Sequence, residues 1–159
     1  MPDIRIIDPK PYHCGQMARY LRDKHMDVLE KLGTNAHRTL RDSFDNSSYR
    51  KAMTIDGRIA VLGGSVGPAI STVGYVWFAA TDEAKRYPVA MVKAIKQALA
   101  EIVATKHEVS SLVLFGDLKA QRFALFMGFD FSDVPQSATQ DMAFLVKYQP
   151  QRPRSWSIQ

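Results

Sequence analysis

Cysteine is nearly missing from this chain: Cys14 is the single one in 159 residues. No disulfide can form within it, and a reducing compartment is expected. Cys14 and the scattered His13, His25, His37 and His107 lack metal-ligand spacing, which argues against a structural zinc site. No apolar run approaches the roughly 20 residues that cross a bilayer as a helix, so no membrane span is expected. The opening MPDIRIIDPKPYH has neither the basic flank nor the apolar core of a secretion signal, and a cytoplasmic location is expected. Paired Cys/His fingers and an aromatic RNP-type strand are also lacking, so no dedicated nucleic-acid reader is evident. One further absence is local. The stretch Thr81–Pro88, TDEAKRYP, precedes the longest helical pattern and holds no glycine.

What remains is ordinary globular material, 46% hydrophobic and 23% charged. A chain of this length fits one α/β domain that buries about 70% of its unfolded surface. The formal charge of +5 and pI near 9.4 suit phosphate-bearing partners such as coenzyme A, nucleic acid or an acidic protein surface. A plain solvated basic surface fits the same numbers.

Along the chain, Asp3–Ile7 alternates as a half-buried strand, with Ile4 and Ile6 inward. Pro9 and Pro11 open a helix whose apolar face holds Met17, Tyr20 and Leu21. Asp23 caps a second, with Met26, Val28, Leu29 and Leu32 inward and Gly33 closing it. A third runs from Thr34 or Asn35 through Leu40 and Phe44. Tyr49–Ile55 and Arg58–Leu62 flank Asp56-Gly57, a strong hairpin signal because both central residues need positive φ. Gly63-Gly64 and Gly67-Pro68 read as punctuation before a strand over Ser71–Ala80, expected to be buried on both faces. Val89–Thr105 is the clearest helix, with Val89, Val92, Ile95, Leu99, Ile102 and Val103 on one stripe. Lys93, Lys96, Gln97 and Glu101 lie opposite. Strand Leu112–Phe115, helix Leu118–Met127, strand Phe129–Phe131 and strand Met142–Tyr148 complete the order.

Asp117, Ala120 and Gly128-Phe129 stand at the offsets of a late motif of the Gcn5-related N-acetyltransferases (GNAT). The element order resembles that family over residues 1–148. The resemblance implies an α/β (α+β) domain, a central mixed twisted sheet with helices on both faces, followed by a basic tail at 149–159. It also implies a coenzyme A cleft. Its walls would be Phe78, Ala80, Asp117 and Phe123, and its phosphate end Lys85, Arg86, Val89 and Ala90. Ala60–Gly64, Tyr75–Phe78, Thr81 and Met127-Gly128 further resemble GNAT-related proteins of short-tailed bacteriophages. That likeness implies a phage or prophage origin, with host cytoplasm or virion as the location.

Two positions depart from the family pattern. In the pyrophosphate loop Lys85 and Ala90 fit, but Pro88 stands where the first glycine belongs and has no N–H to donate. One lost hydrogen bond to a charged phosphate costs about 1.5–3 kcal/mol, on the order of ten- to a hundredfold in affinity. Ala124 occupies the place of the tyrosine that protonates the departing thiolate, an acid worth about 10²–10⁴ in rate. Other candidates have structural readings beside the functional one: Glu83 as a base or a first-turn carboxylate, His13-Cys14 as a nucleophile pair or filling, Tyr75 and Trp77 as acceptor contacts or core. Gly63, Gly64, Gly67 and Gly74 mark either a ligand approach or tight strand geometry. The reading favoured by the two departures is a non-catalytic virion or host-interaction component with a degenerate coenzyme A site. The alternative is an acetyl-CoA-dependent N-acetyltransferase acting on an amine. Nucleic-acid contact through Lys85, Arg86, Lys93, Lys96, Arg152 and Arg154 is a third.

Overall fold

The computed structural model describes residues 1–20, 36–114, 118–132, 134 and 143–149. A seven-stranded sheet forms the centre, in the order β1-β2-β3-β4-β5-β7-β6. Its strands are β1 (Ile4–Ile7), β2 (Ser47–Ile55), β3 (Arg58–Val66), β4 (Val73–Ala80), β5 (Glu108–Leu114), β6 (Phe129–Asp130) and β7 (Ala143–Tyr148). The helices are α1 (Tyr12–Tyr20), α2 (Ala36–Asp45), α3 (Pro88–Thr105) and α4 (Leu118–Met127), with a 3₁₀ turn over Asp82–Arg86 before α3. All strand pairs are antiparallel except β4 with β5. A parallel pair needs a long crossover, and α3 supplies it.

Each face of the sheet is covered separately. On one, Cys14, Met17, Leu40 and Phe44 of α1 and α2 pack on Ala52, Ile59, Leu62 and Ala79. On the other, Met91, Ala94 and Ile95 of α3 lie over Met53, Ile55, Val61 and Ala80. Further along that face, Leu99 and Ile102 meet Val109, Val146 and Met127 of α4. Met17 and Phe44 are essentially sealed from solvent, and each such burial contributes about 1.5–3 kcal/mol.

The Asp56-Gly57 hairpin forms as expected, with φ of 50° and 81°. The paired glycines do not punctuate. Gly63 and Gly64 lie inside β3, which runs four residues past the expected Leu62. A Cβ on Gly64 would stand 2.2 Å from the Tyr49 carbonyl, beside the register shift of β2 between Ser47 and Tyr49. The strands come so close there that only glycine fits, a demand set by the neighbour strand.

Four burial expectations also change, the first being Ile6, read as inward but 48% exposed on the edge strand β1. Tyr20, at the last residue of α1, is exposed, while His13, Cys14 and Met17 take the inner positions. Val89 is 69% exposed, because Ala90 and Met91 of the same turn take the inward positions. Strand β4 is not buried on both faces: Tyr75 is 46% and Phe78 40% exposed. β5 begins at Glu108, earlier than Leu112, because its first half pairs with β4. The expected helix after Asp23 and the tail from 150 lie outside the described residues.

Candidate active site

Strands β4 and β5 travel together only briefly. Val73–Val76 pairs with Glu108–Ser111, and the Ser111 hydroxyl donates to the Val76 carbonyl at 3.1 Å. Beyond that point they part. Trp77–Ala80 remains paired with β3 on one side, and Leu112–Leu114 with β7 on the other. Among the described residues nothing pairs across the gap, so one edge of β4 carries backbone polar groups with no strand partner. Such groups need hydrogen-bond partners.

The gap opens into a cavity of about 460 Å³. Val76, Phe78, Ser111, Leu112, Ala120 and Phe123 line its mouth. Phe78 on β4 and Phe123 on α4 face one another with ring centroids 5.4 Å apart. The lining is mostly apolar and extends to both faces of the sheet, reaching Leu40 and Ser43 of α2 on one and Ala94 and Ala98 of α3 on the other. Ala124 also borders it, so the position where the family carries an acid holds only a methyl group.

At the C-terminal end of β4 the chain turns through Asp82–Arg86 and enters α3 at Pro88. Proline suits the first helical position, where its missing N–H satisfies no helical bond. The first α-helical bond is Met91 N–H to the Tyr87 carbonyl, 3.0 Å, and no side chain caps this end. The amides of Val89 and Ala90 therefore begin a helix whose positive dipole end is open. Lys85 pairs weakly with Asp82 at 3.6 Å, and Arg86 is exposed.

The structure brings together Phe78 and Phe123 at the gap, and Lys85, Arg86, Val89 and Ala90 at the turn; Ala80 closes β4 between them. Asp117 lies outside the described residues. Glu83 is engaged elsewhere: Arg58 of β3 donates to its carboxylate at 2.6 and 3.1 Å. The guanidinium holds that carboxyl below its ordinary range, which unsuits it as a base near neutrality. His13 accepts the Lys10 N–H at Nδ1, 2.8 Å, and burial lowers its pKa. Burial likewise pushes the Cys14 thiol up. The two are core residues. Trp77 donates from Nε1 to the Ser47 hydroxyl at 2.8 Å, anchored structurally on the α2 face. Of the basic candidates, Lys96 lies over the Phe126 ring at 5.4 Å, and Arg152 and Arg154 are outside the described residues.

One pair was not expected. The Tyr49 hydroxyl of β2 donates to the Glu101 carboxylate of α3 at the far side of the cavity. Burial first, then that carboxylate, raises the phenol well above its usual range. The partners are 52 residues apart, and each alone reads as an unremarked strand or helix residue. No local signal announces them. Among the described residues no group of three or more His, Cys, Asp or Glu could hold a metal. None of their helices is long and apolar enough to cross a membrane.

No protein-family profile matches the sequence, and no curated protein does. Solved structures do. The chain is similar to yncA of Salmonella typhimurium, described as a candidate acetyltransferase with its cofactor acetyl-CoA: TM-score 0.61, 10% identity, 94% of this chain and 95% of that one covered. A GNAT-family acetyltransferase of Streptococcus pneumoniae gives a TM-score of 0.54 at 12% identity, over 92% of this chain and all of that one, 100%. The ribosomal-protein-S5-alanine acetyltransferase of Vibrio fischeri gives 0.61 at 9% identity, covering 96% and 98%. Identities this low speak for shape alone. With its strand order, its parted β4 and β5 and these likenesses, the chain has the GNAT acyl-CoA N-acyltransferase fold.

Proposed function

We propose that this protein is an acyl-CoA-dependent N-acyltransferase acting on an amine. One observation carries the reading: the gap between β4 and β5 is open and leads to a largely apolar cavity, while β4 itself runs on through a short turn into an uncapped helix start. The residues present fit coenzyme A. The free edge of β4, Trp77–Ala80, matches the amides of an extended pantetheine arm, as sheet edges take up extended chains. Phe78 and Phe123 would hold that arm by contact. The Val89 and Ala90 amides, with the charges of Lys85 and Arg86, suit the pyrophosphate. Pro88 removes one donor from this set and weakens it without emptying it. Asp117 stands in the late motif and is carried here as a further wall of the same cleft.

When bound, the acyl-CoA supplies an acyl group that passes to the amine nitrogen as the carbon–sulfur bond breaks. The protein's part is to hold the two reactants together and exclude water, a contribution that reaches about 7–11 kcal/mol in well-oriented systems. At the mouth of the cavity, Val76, Phe78, Leu112, Ala120 and Phe123 carry no titratable group. The attacking amine must therefore arrive neutral. The thiolate, with an ordinary thiol pKa of about 8.5, leaves without a proton donated by the protein and takes up the one that the acylated nitrogen sheds.

Pro88 and Ala124 favour a second reading, a GNAT-shaped virion or host-interaction component without chemistry. A phage origin has no support from the comparisons, and a retained cleft is unneeded by such a component. Titration calorimetry with acetyl-CoA separates the two. Sub-millimolar binding is expected; heat of dilution alone up to several millimolar would overturn the enzyme.

A further inference from the structure

The cavity does not end where an acetyl group would sit. Besides Phe78, its lining on the α3 side takes in Val61 and Gly63 of β3, Met53 of β2 and Ile6 of β1. Ile6 is 48% exposed, so the far end lies near the sheet's edge. Over this stretch α3 presents Ala94 and Ala98, one turn apart, where larger side chains would close the space. The polar residues at that end are mutually engaged. Tyr49 is hydrogen-bonded to Glu101, and Lys51 meets Asp8 at 2.5 Å. The lining is otherwise mostly apolar, broken by Gln97 and Ser111 and, on the α2 face, by Thr39 and Ser43.

We infer that the space beneath α3 receives an unbranched aliphatic acyl chain, so that the donor is a medium-chain acyl-CoA rather than acetyl-CoA. This rests on the acyltransferase reading above. Three features argue for it together. The cavity's 460 Å³, which takes in the mouth and the α2 face as well as the space beneath α3, lies within the range of small-molecule sites, about 300–1,000 Å³, and has room for more than a pantetheine end and one methyl group. It is continuous with the gap that would hold the pantetheine arm, so a chain starting there runs straight into it. Its lining is mostly apolar, as in sites that take up apolar ligand groups. The acyl chain stays intact through the reaction: its carbonyl carbon exchanges sulfur for nitrogen, and the methylenes serve only to bind.

The test is a calorimetric series on the full chain with coenzyme A, acetyl-CoA, hexanoyl-CoA and octanoyl-CoA. Each added methylene is expected to tighten binding by up to about fourfold, from the usual burial free energy per methylene, and octanoyl-CoA to exceed acetyl-CoA by at least tenfold. Ala98→Phe should flatten the series by filling the channel. Ala94→Leu serves the same purpose if the phenylalanine variant does not fold. Equal affinity along the series in the natural sequence, or a steep series kept in the filled variants, overturns the inference and leaves the acyltransferase reading standing. Absence of binding by every member, coenzyme A included, overturns both.

Discussion

Phe78 of β4 and Phe123 of α4 touch across the gap in the sheet, their ring centroids 5.4 Å apart and their planes at 53°. Ring pairs so placed contribute about 0.5–1.5 kcal/mol beyond their buried area. Both rings are part-exposed, so this contact joins two walls that no strand pairing connects. Phe123→Ala is expected to lower stability by about 2–3 kcal/mol, the low end for a half-buried aromatic, and to weaken acyl-CoA binding in parallel. Thermal melts and calorimetry on the same sample check both.

Restoring the missing donor should strengthen the phosphate end. Pro88→Gly returns an N–H at the first position of α3, and acyl-CoA should bind roughly tenfold tighter or more. The glycine loosens the unfolded chain and costs about 0.4–1 kcal/mol of stability. An unchanged affinity would mean the pyrophosphate does not reach this turn.

The pH dependence follows from the groups at the mouth. With no acid or base among the described residues there, kcat should rise steadily from pH 6 to 9 with the neutral fraction of the amine. A bell-shaped profile, the mark of a paired acid and base, would contradict this. Glu83 behaves separately. Its folded pKa lies below the ordinary 4.5, so its ion pair with Arg58 stabilises the fold above that value and is lost as pH falls through the lower one. Glu83→Gln should therefore reduce stability slightly near neutrality, less so in high salt, and leave the rate profile unaltered.

Close packing of β2 and β3 gives a purely structural prediction. Gly64→Ala places a methyl against the Tyr49 carbonyl and should cost about 1–3 kcal/mol as the strands shift. Chemical denaturation measures it. Gly57→Ala also destabilises, for a different reason: its φ of 81° strains any side chain.

These cases show which features were legible from sequence. The Asp56-Gly57 turn and the helix from Val89 were readable because each is dictated by neighbouring residues. So was the late Gly128-Phe129, where φ of 109° ends α4 and starts β6. Gly63 and Gly64 misled because their requirement comes from β2 and β4, not from their own segment. The exposure of Phe78 was illegible for a similar reason. An aromatic β-strand reads as buried, and only the departure of β5 leaves it open. Tyr49 and Glu101 meet through tertiary packing alone. The fold was legible through family likeness, in the element order and at Ala120 and Gly128, and not through any pattern of titratable groups.

The account turns on an acyl-CoA lying along the unpaired edge of β4. Amide hydrogen exchange, with and without saturating octanoyl-CoA, examines that edge directly. The prediction is slowed exchange confined to the free β4 amides of Phe78 and Ala80 and to Val89 and Ala90. Bound ligand with protection elsewhere, or none at these amides, would contradict it.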